Sequence, residues 1–353
     1  MRLAVAGIGN NISALVQGIG FYRQRDSSEQ LPGVTHPILG GLRVTDIDVV
    51  AAFDVSEAKV GQPLSEAIFA APNNYPELGT LRLTEDPEVV PGIADPDDKQ
   101  QIASVTKLLR ELEVEVLLYS LPTGLPEVAR AYGRAAITAG VAVVNCTPDP
   151  IAGLTELRDE ALSQGVPLVG DDLQSHLGSS VVHGSLLALL EERGLTLSGS
   201  YQVNMGGNAD FANLRTHGAN KEASKHRALR QKINHTDRVT VIPSAGFVTH
   251  LNDRKVAHMS IEARGWADMP VRLDVTLQVQ DSSNAAGVII DLVRIAAIAR
   301  RRGETGFPVA ATSLLKSPTL MEDPLRQSVN AREFLASLAS ENAGTAEKSE
   351  PTD

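Results

Sequence analysis

Two lysines, Lys221 and Lys225 in the segment NKEASK, have the type and spacing of a proton-transfer site. Because they are four residues apart, a helix would place both ammonium groups on one face. Their mutual repulsion would lower the pKa of at least one of them, so that a neutral lysine becomes accessible near pH 7. Such groups can act as a base or stabilise a developing oxyanion. Taken alone, however, a Lys–Glu–Lys pattern is more typical of a solvated helix face.

A second set of residues has the types and positions of a dinucleotide site. Gly7 and Gly9 follow an apolar run at 2–6 and precede a helical pattern, which predicts a strand, a tight turn and a helix. Glycines there let the backbone approach a pyrophosphate at the helix N-terminus. Asp54 ends a second apolar run, where a carboxylate favours NAD over NADP. Ile12 replaces the third glycine of the usual fingerprint, and Asp54 could instead cap a helix.

The elements that would position these residues alternate between strands and helices. Apolar strands are predicted at 2–6, 47–53, 114–119, 141–145 and 166–169. Helical segments are predicted at 101–112, 125–139 and 153–164. Residues 73–100 are rich in Pro, Asn, Asp and Glu and are predicted to run over the surface. The alternation predicts an α/β fold with a Rossmann-type, doubly wound parallel sheet.

After about residue 197 the pattern changes. The segment VRLDVTLQV at 271–279 alternates apolar and polar residues, which suits an antiparallel sheet with one covered face. Similar strands are predicted at 199–204, 238–242 and 256–263, and an apolar helix at 285–302. The sequence therefore predicts three regions: a discontinuous NAD-binding domain at 1–197 and 285–340, an α+β domain with a mostly antiparallel sheet at 198–284, and a disordered tail at 341–353.

The composition limits the class of protein. The formal net charge of −11 over 353 residues argues against a nucleic-acid or membrane-surface partner, because such binding needs a basic field. The single cysteine, Cys146, excludes an internal disulfide and a cysteine-based zinc site, and it fits a reducing compartment. The N-terminus lacks the apolar run of a signal peptide, and no uncharged apolar stretch is long enough to span a membrane. We therefore expect a cytoplasmic protein.

A series of further motifs occurs in a fixed order. They are GIGNN (7–11), FDV (53–55), SLPTG (120–124), VGDDLQSHLG (169–178), VNMGGNADF (203–211), NKEASK (220–225), NDRK (252–255), QDSSNAAGVIIDL (280–292) and LLKSP (314–318). The series resembles the myo-inositol-1-phosphate synthase family, most closely its shorter bacterial type, over roughly residues 1–320. In isolation GGNAD could be a turn and DDLQS a helix cap. Independent turns and caps would not occur in one family's order.

The resemblance implies an intramolecular isomerase or lyase that makes a cyclitol phosphate. Glucose 6-phosphate would open, be oxidised at C5 by hydride transfer to NAD, enolise, and close a ring by attack of C6 on C1. The reduced cofactor would return its hydride to C5, so that NAD is recycled within each turnover.

The resemblance also implies a homotetramer with the second sheet at the subunit contact. His176, His217, His226 and His250 are not at metal-ligand spacing, so no histidine-based metal site is predicted, but a cation held by phosphate and carboxylates remains open.

The resemblance also implies roles for single residues. Lys221 would assist proton transfer at the C5 hydroxyl, and Lys225 would hold the phosphate. Lys255 would contact sugar oxygens, and Lys316 would polarise the carbonyl under attack. The remaining predicted catalytic residues are Asp172, which orients sugar hydroxyls, and Asp281, which lies near the nicotinamide and the lysines.

Two larger sets complete the predicted site. The substrate-binding set, in which Ser175 and neighbouring amides would hold phosphate, is Ser175, Gln174, His176, Asn204, Asn208 and Asp210. The cofactor-binding set is Gly7, Gly9, Asn10, Asn11, Asp54, Ser120, Asn145 and Thr147.

The chain departs from the family pattern around the predicted sugar and phosphate site. Gln174 occupies the lysine position of GDDxKS, and His176 stands where small or amide residues are more usual. The family sequence GPSD is replaced by IPSA at 242–245, and LPVGSE is replaced by SLPTGL at 120–125. The family's Asn-Asn-Thr is replaced by two asparagines followed by Tyr75. These changes favour an altered substrate. With fructose 6-phosphate, oxidation at C5 and attack of C6 on the C2 ketone would close a five-membered ring by the same steps.

Two alternatives come from other classes of protein. An ordinary NAD dehydrogenase would accumulate NADH, whereas a cyclase shows none at steady state. An inactive sensor of NAD or sugar phosphate would have no need for a catalytic lysine set, so the four lysines argue against it.

Overall fold

The computed structural model describes residues 1–25, 31–214, 225, 229, 236–318 and 333–338. Its strands are β1 (Arg2–Ala6), β2 (Ile38–Leu39), β3 (Leu42–Arg43), β4 (Asp48–Asp54), β5 (Val89–Pro91), β6 (Val116–Tyr119), β7 (Ala142–Asn145), β8 (Leu168–Val169), β9 (Thr196–Gly206), β10 (Val239–Phe247), β11 (Arg254–Arg264) and β12 (Pro270–Gln280). Its helices are α1 (Asn10–Arg23), α2 (Leu64–Ala67), α3 (Lys99–Glu111), α4 (Pro126–Ala139), α5 (Thr155–Gln164), α6 (Ser179–Glu192), α7 (209–214), α8 (Asp281–Arg301) and α9 (333–338).

The first sheet is parallel and has the strand order β5-β4-β1-β6-β7-β8. The chain moves from β1 to one side through β4 and β5, and then returns to the other side at β6. In such a sheet, ligands bind in the crevice outside the carboxyl ends of the strands where the order reverses. The predicted doubly wound α/β fold is confirmed, and the reversal between β1 and β6 marks the expected binding edge.

Helices cover both faces of this sheet because its strands are apolar on both faces. Leu3 and Val5 of β1 pack in a core cluster with α1 and α8, whereas Ala4 and Ala6 pack in a second cluster with α3, α4 and α5. The helix α8 is long and apolar enough to cross a membrane by composition, but 89% of its apolar window is buried inside the protein. It therefore serves as a core helix of the first sheet.

The second sheet has the order β10-β9-β11-β12. The pairings of β11 with β9 and with β12 are antiparallel, and β9 pairs with β10 in parallel. One face packs on α6, where Leu187 meets Val239, Val241 and Ile261. The other face exposes Tyr201 (40%) and other apolar residues, and the edge strand β12 is mostly exposed. This sheet thus has one covered face, as its alternating sequence predicts.

Candidate active site

A cavity of about 500 Å³ lies at the carboxyl ends of the parallel strands, beside the β1–β6 reversal. This volume is in the range of sites that hold small molecules and cofactors. The residues that line it come from both sheets and from α6, α7 and α8. Those that the sequence predicted for the site are Gly7, Gly9, Asn10, Asn11, Asp54, Ser120, Thr147, Asp172, Gln174, Ser175, Asn208, Asp210, Lys225, Lys255, Asp281 and Lys316.

The turn after β1 has the backbone that a dinucleotide site requires. Gly7 has φ +87°, and a Cβ atom there would lie 2.8 Å from the carbonyl oxygen of Ser120. Only glycine fits this position without strain. Gly9 is the N-cap of α1, and a Cβ atom at Gly9 would meet no atom within 4 Å. The N-terminus of α1 therefore lies at an open cavity where a phosphate could bind.

The carboxylate of Asp54 is held at the end of β4 by backbone amides. Its Oδ2 accepts a hydrogen bond from Ile8 N at 2.7 Å, and its Oδ1 accepts from Val55 N at 2.8 Å and Ser56 N at 2.9 Å. The side chain therefore ties the glycine turn to the neighbouring strand. Because Asp54 also lines the cavity, it can still face the ribose of a dinucleotide.

A buried lysine beside Asp54 was not predicted from the sequence. Lys59 Nζ donates to Ile8 O at 2.6 Å and to Asn73 Oδ1 at 3.2 Å, and it lies 3.8 Å from Asp54 Oδ2. Burial lowers the pKa of Lys59, and the carboxylate of Asp54 partly offsets this effect. The only signal in the sequence was a lysine five residues after the aspartate that ends the strand.

The ion pair between Lys316 and Asp172 forms one wall of the cavity. Lys316 Nζ donates to Asp172 Oδ1 at 2.9 Å. The two segments also pair through the backbone, since Lys316 N donates to Asp172 O at 2.8 Å and Gln174 N donates to Leu314 O at 2.8 Å. Asp172 has φ +59°, an uncommon conformation for an aspartate that often marks a functional position.

A second ion pair joins the start of β11 to the start of α8. Lys255 Nζ, on β11, donates to Asp281 Oδ1 at 3.0 Å. Asp281 lies in the first turn of α8, because this helix begins at 281, four residues before the predicted start. A carboxylate is stabilised at a helix N-terminus by the unpaired amides and the helix dipole. The cavity thus holds two lysines that are each oriented by an aspartate.

Lys225 enters the cavity beside a buried polar cluster. Its Nζ donates to Ser179 Oγ at 3.4 Å, and with the amide of Gln202 in its better-satisfied orientation, the Gln202 oxygen accepts from Lys225 Nζ at 3.1 Å. Behind them His183 Nε2 lies 2.6 Å from Ser200 Oγ. Burial lowers the pKa of His183 to about 4, with a smaller lowering from Lys225.

A fully buried carboxylate, Asp253, was also missed in the sequence. Its Oδ1 accepts from Asn10 Nδ2 at 2.9 Å and from Ser282 Oγ at 2.6 Å, and its Oδ2 accepts from Ser282 N at 3.0 Å. Asn208 Nδ2 adds a contact to Oδ1 at 3.3 Å. The motif NDRK drew attention to Lys255 alone. Nothing in the sequence showed that Asp253 accepts hydrogen bonds from Asn10, Asn208 and Ser282.

Some predicted residues do not line the cavity. Asn145 lies behind it and donates to Asp149 O and Asp171 Oδ1 at 2.6 and 2.7 Å. Asn204 is buried in β9 and donates to Ile242 O at 2.9 Å. The ring of His176 packs near Gly287 of α8, and its Nε2 lies 3.2 Å from Thr35 Oγ1. Lys221 lies outside the described residues.

The cysteine and the acidic residues at the cavity do not suggest other chemistry. Burial raises the pKa of Cys146, and Asp172 raises it further, so the thiol is unsuited to act as a nucleophile. Within the described residues no group of three or more His, Cys, Asp or Glu side chains is placed to hold a metal ion. The charged groups at the cavity include Lys225, Lys255 and Lys316, and the last two pair with Asp281 and Asp172.

Comparison with known protein families supports the sequence resemblance. A family model described as myo-inositol-1-phosphate synthase matches residues 178–282. The chain is 40% identical over 339 residues to inositol-3-phosphate synthase of Mycolicibacterium smegmatis, covering 90% of this chain and 93% of that protein. It is 36% identical over 355 residues to inositol-3-phosphate synthase of Corynebacterium glutamicum, covering 94% and 97%.

Solved structures give the same result for the fold. The crystal structure of Ari2 matches with a TM-score of 0.82 and 50% identity, covering 96% of this chain and 99% of that chain. The inositol-3-phosphate synthase of Caenorhabditis elegans matches with a TM-score of 0.75, covering 100% and 89%. At 20% identity, this match supports the fold alone.

Proposed function

This chain belongs to the myo-inositol-1-phosphate synthase family of sugar-phosphate cyclases, and from that premise we propose that it converts a hexose 6-phosphate into a cyclitol phosphate with NAD recycled in each turnover. The observation that carries the proposal is one cavity that joins a glycine turn of dinucleotide type to Lys225, Lys255 and Lys316. An ordinary dehydrogenase needs the glycine turn but has no use for three lysines in the same cavity.

The residues around the glycine turn fit NAD. Gly7 lets the turn pack closely against Ser120, Gly9 leaves open space where α1 begins at the cavity, and Asp54 stands where a ribose would bind. Bound NAD would take up a hydride from C5 of the sugar and return it after ring closure. The further residues that we assign to this subsite are Asn10, Asn11, Ser120, Thr147 and Lys59.

The ion pair of Lys316 with Asp172 would supply the cation that the enolisation and aldol steps require. A cation beside the carbonyl under attack stabilises the oxyanion that develops there. We assign this role to Lys316, whose ammonium group is fixed by Asp172. Lys255, fixed by Asp281, contacts sugar oxygens, and Lys225 with Ser175 holds the phosphate. Lys221 keeps its proposed role in proton transfer at the C5 hydroxyl.

Glucose 6-phosphate is the first candidate substrate, because the named relatives are inositol-3-phosphate synthases. A specific observation favours fructose 6-phosphate as the second. Gln174 replaces the lysine of the family motif, it is buried at the cavity, and its Nε2 has no hydrogen-bond partner among the residues described. A neutral amide donor there suits a different sugar oxygen from the one that an ammonium group would bind.

The experiment is to incubate the protein with NAD and each hexose 6-phosphate separately, and to determine the ring size of the product by NMR. A six-membered cyclitol phosphate from glucose 6-phosphate alone would exclude the second candidate. Net accumulation of NADH in step with turnover would favour an ordinary dehydrogenase. No turnover of either sugar together with NAD binding would favour a sensor.

We further propose that the protein is a cytoplasmic homotetramer. We also propose that residues 1–197 and 285–340 form one domain and that residues 198–284 form a second. Exposed apolar residues on the second sheet support a subunit contact there. They include Tyr201, Met205 and Ile242 on one face, Leu273 on β12, and Trp266, which is 93% exposed at the β11–β12 turn. The molecular mass of the protein in solution tests this contact directly.

A further inference from the structure

The side chain of Asp253 is a junction between the two halves of the cavity. It is fully buried and receives hydrogen bonds from three side chains and one backbone amide. The donors come from three separate segments: Asn10 at the start of α1, Asn208 before α7, and Ser282 in the first turn of α8. Buried carboxylates are costly unless they are fully hydrogen-bonded, so this convergence indicates a specific role.

Two of the donors connect Asp253 to different parts of the proposed machinery. Asn10 also accepts from Asn74 N at 2.9 Å, which fixes the glycine turn against the loop after α2. Asn208 also donates to Asp281 Oδ2 at 3.4 Å. The backbone of Asp253 contributes as well, because Asp281 N donates to Asp253 O at 3.0 Å. The position of Asp281, and through it that of Lys255, therefore depends on this junction.

We propose that Asp253 is a positioning residue that couples the cofactor-binding turn at Asn10 to the Lys255–Asp281 pair. This role rests on the proposed function of the cavity and adds a residue to it. Asp253 itself does not line the cavity, so it acts through Asn10, Ser282 and Asp281. Burial raises the pKa of Asp253, whereas the hydrogen bonds from Ser282 lower it, so these bonds help to keep the carboxylate ionised.

The test variant is Asp253→Asn, which keeps the shape but replaces an acceptor oxygen with a donor NH2 group. One of the present donors would then face another donor. We expect kcat to fall by about 100-fold, because small displacements of catalytic groups have effects of that order. We also expect the Kd of NAD, measured by calorimetry, to rise by about 10-fold, since Asn10 loses a charged acceptor.

Ser282→Ala is the second variant, in case Asp253→Asn fails to fold. It removes only the Oγ donor and leaves the Asn10 contact intact. We expect a smaller loss of kcat, by about 10-fold, with the Kd of NAD unchanged. A role in folding alone would instead lower activity only in proportion to the unfolded fraction.

Glu115→Gln is the matched control, because this carboxylate also accepts hydrogen bonds, from Arg2 N and Arg301 Nε, but lies at the opposite end of the sheet. It should lower Tm and leave kcat and the Kd of NAD unchanged. Folded Asp253→Asn or Ser282→Ala proteins with wild-type kcat and Kd would overturn the proposal. If the wild type turns over no hexose phosphate, the proposed function fails, and the Kd of NAD in Asp253→Asn still tests the coupling.

Discussion

Lys316 Nζ and Asp172 Oδ1 lie 2.9 Å apart, although the two residues are separated by 144 positions in the chain. Both are almost fully removed from solvent, with side-chain exposures of 11% and 1%. In such an environment a lone charge is costly, and the opposite charge of the partner offsets that cost. The pair therefore presents a fixed ammonium group to the cavity.

This relationship predicts the behaviour of two variants. Lys316→Met should lower kcat by about 100- to 1000-fold, the usual effect of removing one oxyanion-stabilising donor. Asp172→Asn should lower kcat through loss of the fixed position of Lys316. Because the two residues act as a unit, the double variant should lose hardly more than Lys316→Met alone. Steady-state kinetics measure all three, and additive losses would contradict the paired role.

The buried position of Lys59 beside Asp54 predicts that this lysine strengthens the binding of NAD. Lys59→Met removes the donor to Ile8 O and Asn73 Oδ1 and leaves Asp54 without its cation. We expect the Kd of NAD to rise by about 10-fold, the value of one charge-assisted hydrogen bond. The control is Lys107→Met, because Lys107 is exposed on α3 and pairs only with Glu111 among the described contacts. An unchanged Kd in Lys59→Met would show that the turn does not need this lysine.

The amide of Gln174 is predicted to influence which hexose 6-phosphate the protein turns over. Gln174→Lys restores the residue of the family motif and adds a point charge at the cavity. If Gln174 adapts the site to a ketose, this variant should raise the ratio of glucose 6-phosphate to fructose 6-phosphate turnover by about 10-fold. Gln174→Met, which lacks both the amide and the charge, should lower both rates without this shift. An unchanged ratio in Gln174→Lys would remove the argument for the second substrate.

His183 predicts how stability depends on pH. Its folded pKa of about 4 lies below the ordinary value of 6.5, because burial disfavours the charged ring. The unfolded chain therefore binds more protons between pH 6.5 and about 4, and the free energy of unfolding falls as the pH decreases through this window, by roughly 3 kcal/mol in total.

Substitution of this histidine should flatten that dependence. His183→Gln keeps a polar side chain toward Ser200 but does not titrate. The difference in Tm between pH 7 and pH 5 should be smaller in the variant than in the wild type. Equal differences would assign the acid sensitivity to other groups.

Much of the fold could be predicted because periodicity is a local property. The strand near 47–53 and the helix at 125–139 are confirmed as Asp48–Asp54 and Pro126–Ala139. Val89–Pro91 is different: it is three residues long, lies in a polar segment predicted as a surface excursion, and is a strand only because it pairs with β4. Tertiary pairing, not local pattern, makes this strand.

The site residues also divide into those that sequence motifs identify and those that only the folded chain brings together. Lys316 and Asp172 could be singled out because they lie in recognisable motifs, but their ion pair depends on the path of the chain between them. Lys59 lies outside the motifs, and Asp253 lies within NDRK but had no predicted role. The positions of both depend on burial, which one sequence does not reveal. The loop of His176 was expected at the substrate, whereas its ring packs against α8.

The central claim is that NAD is reduced and reoxidised within one turnover. The most direct test uses the hexose 6-phosphate that turns over, deuterated at C5, with NAD in sub-stoichiometric amount. Mass spectrometry and NMR then locate the label. The account predicts a cyclitol phosphate that retains deuterium at the carbon derived from C5, with no deuterated NADH in solution. Deuterium released into the free NADH pool, with an oxidised product, would contradict it.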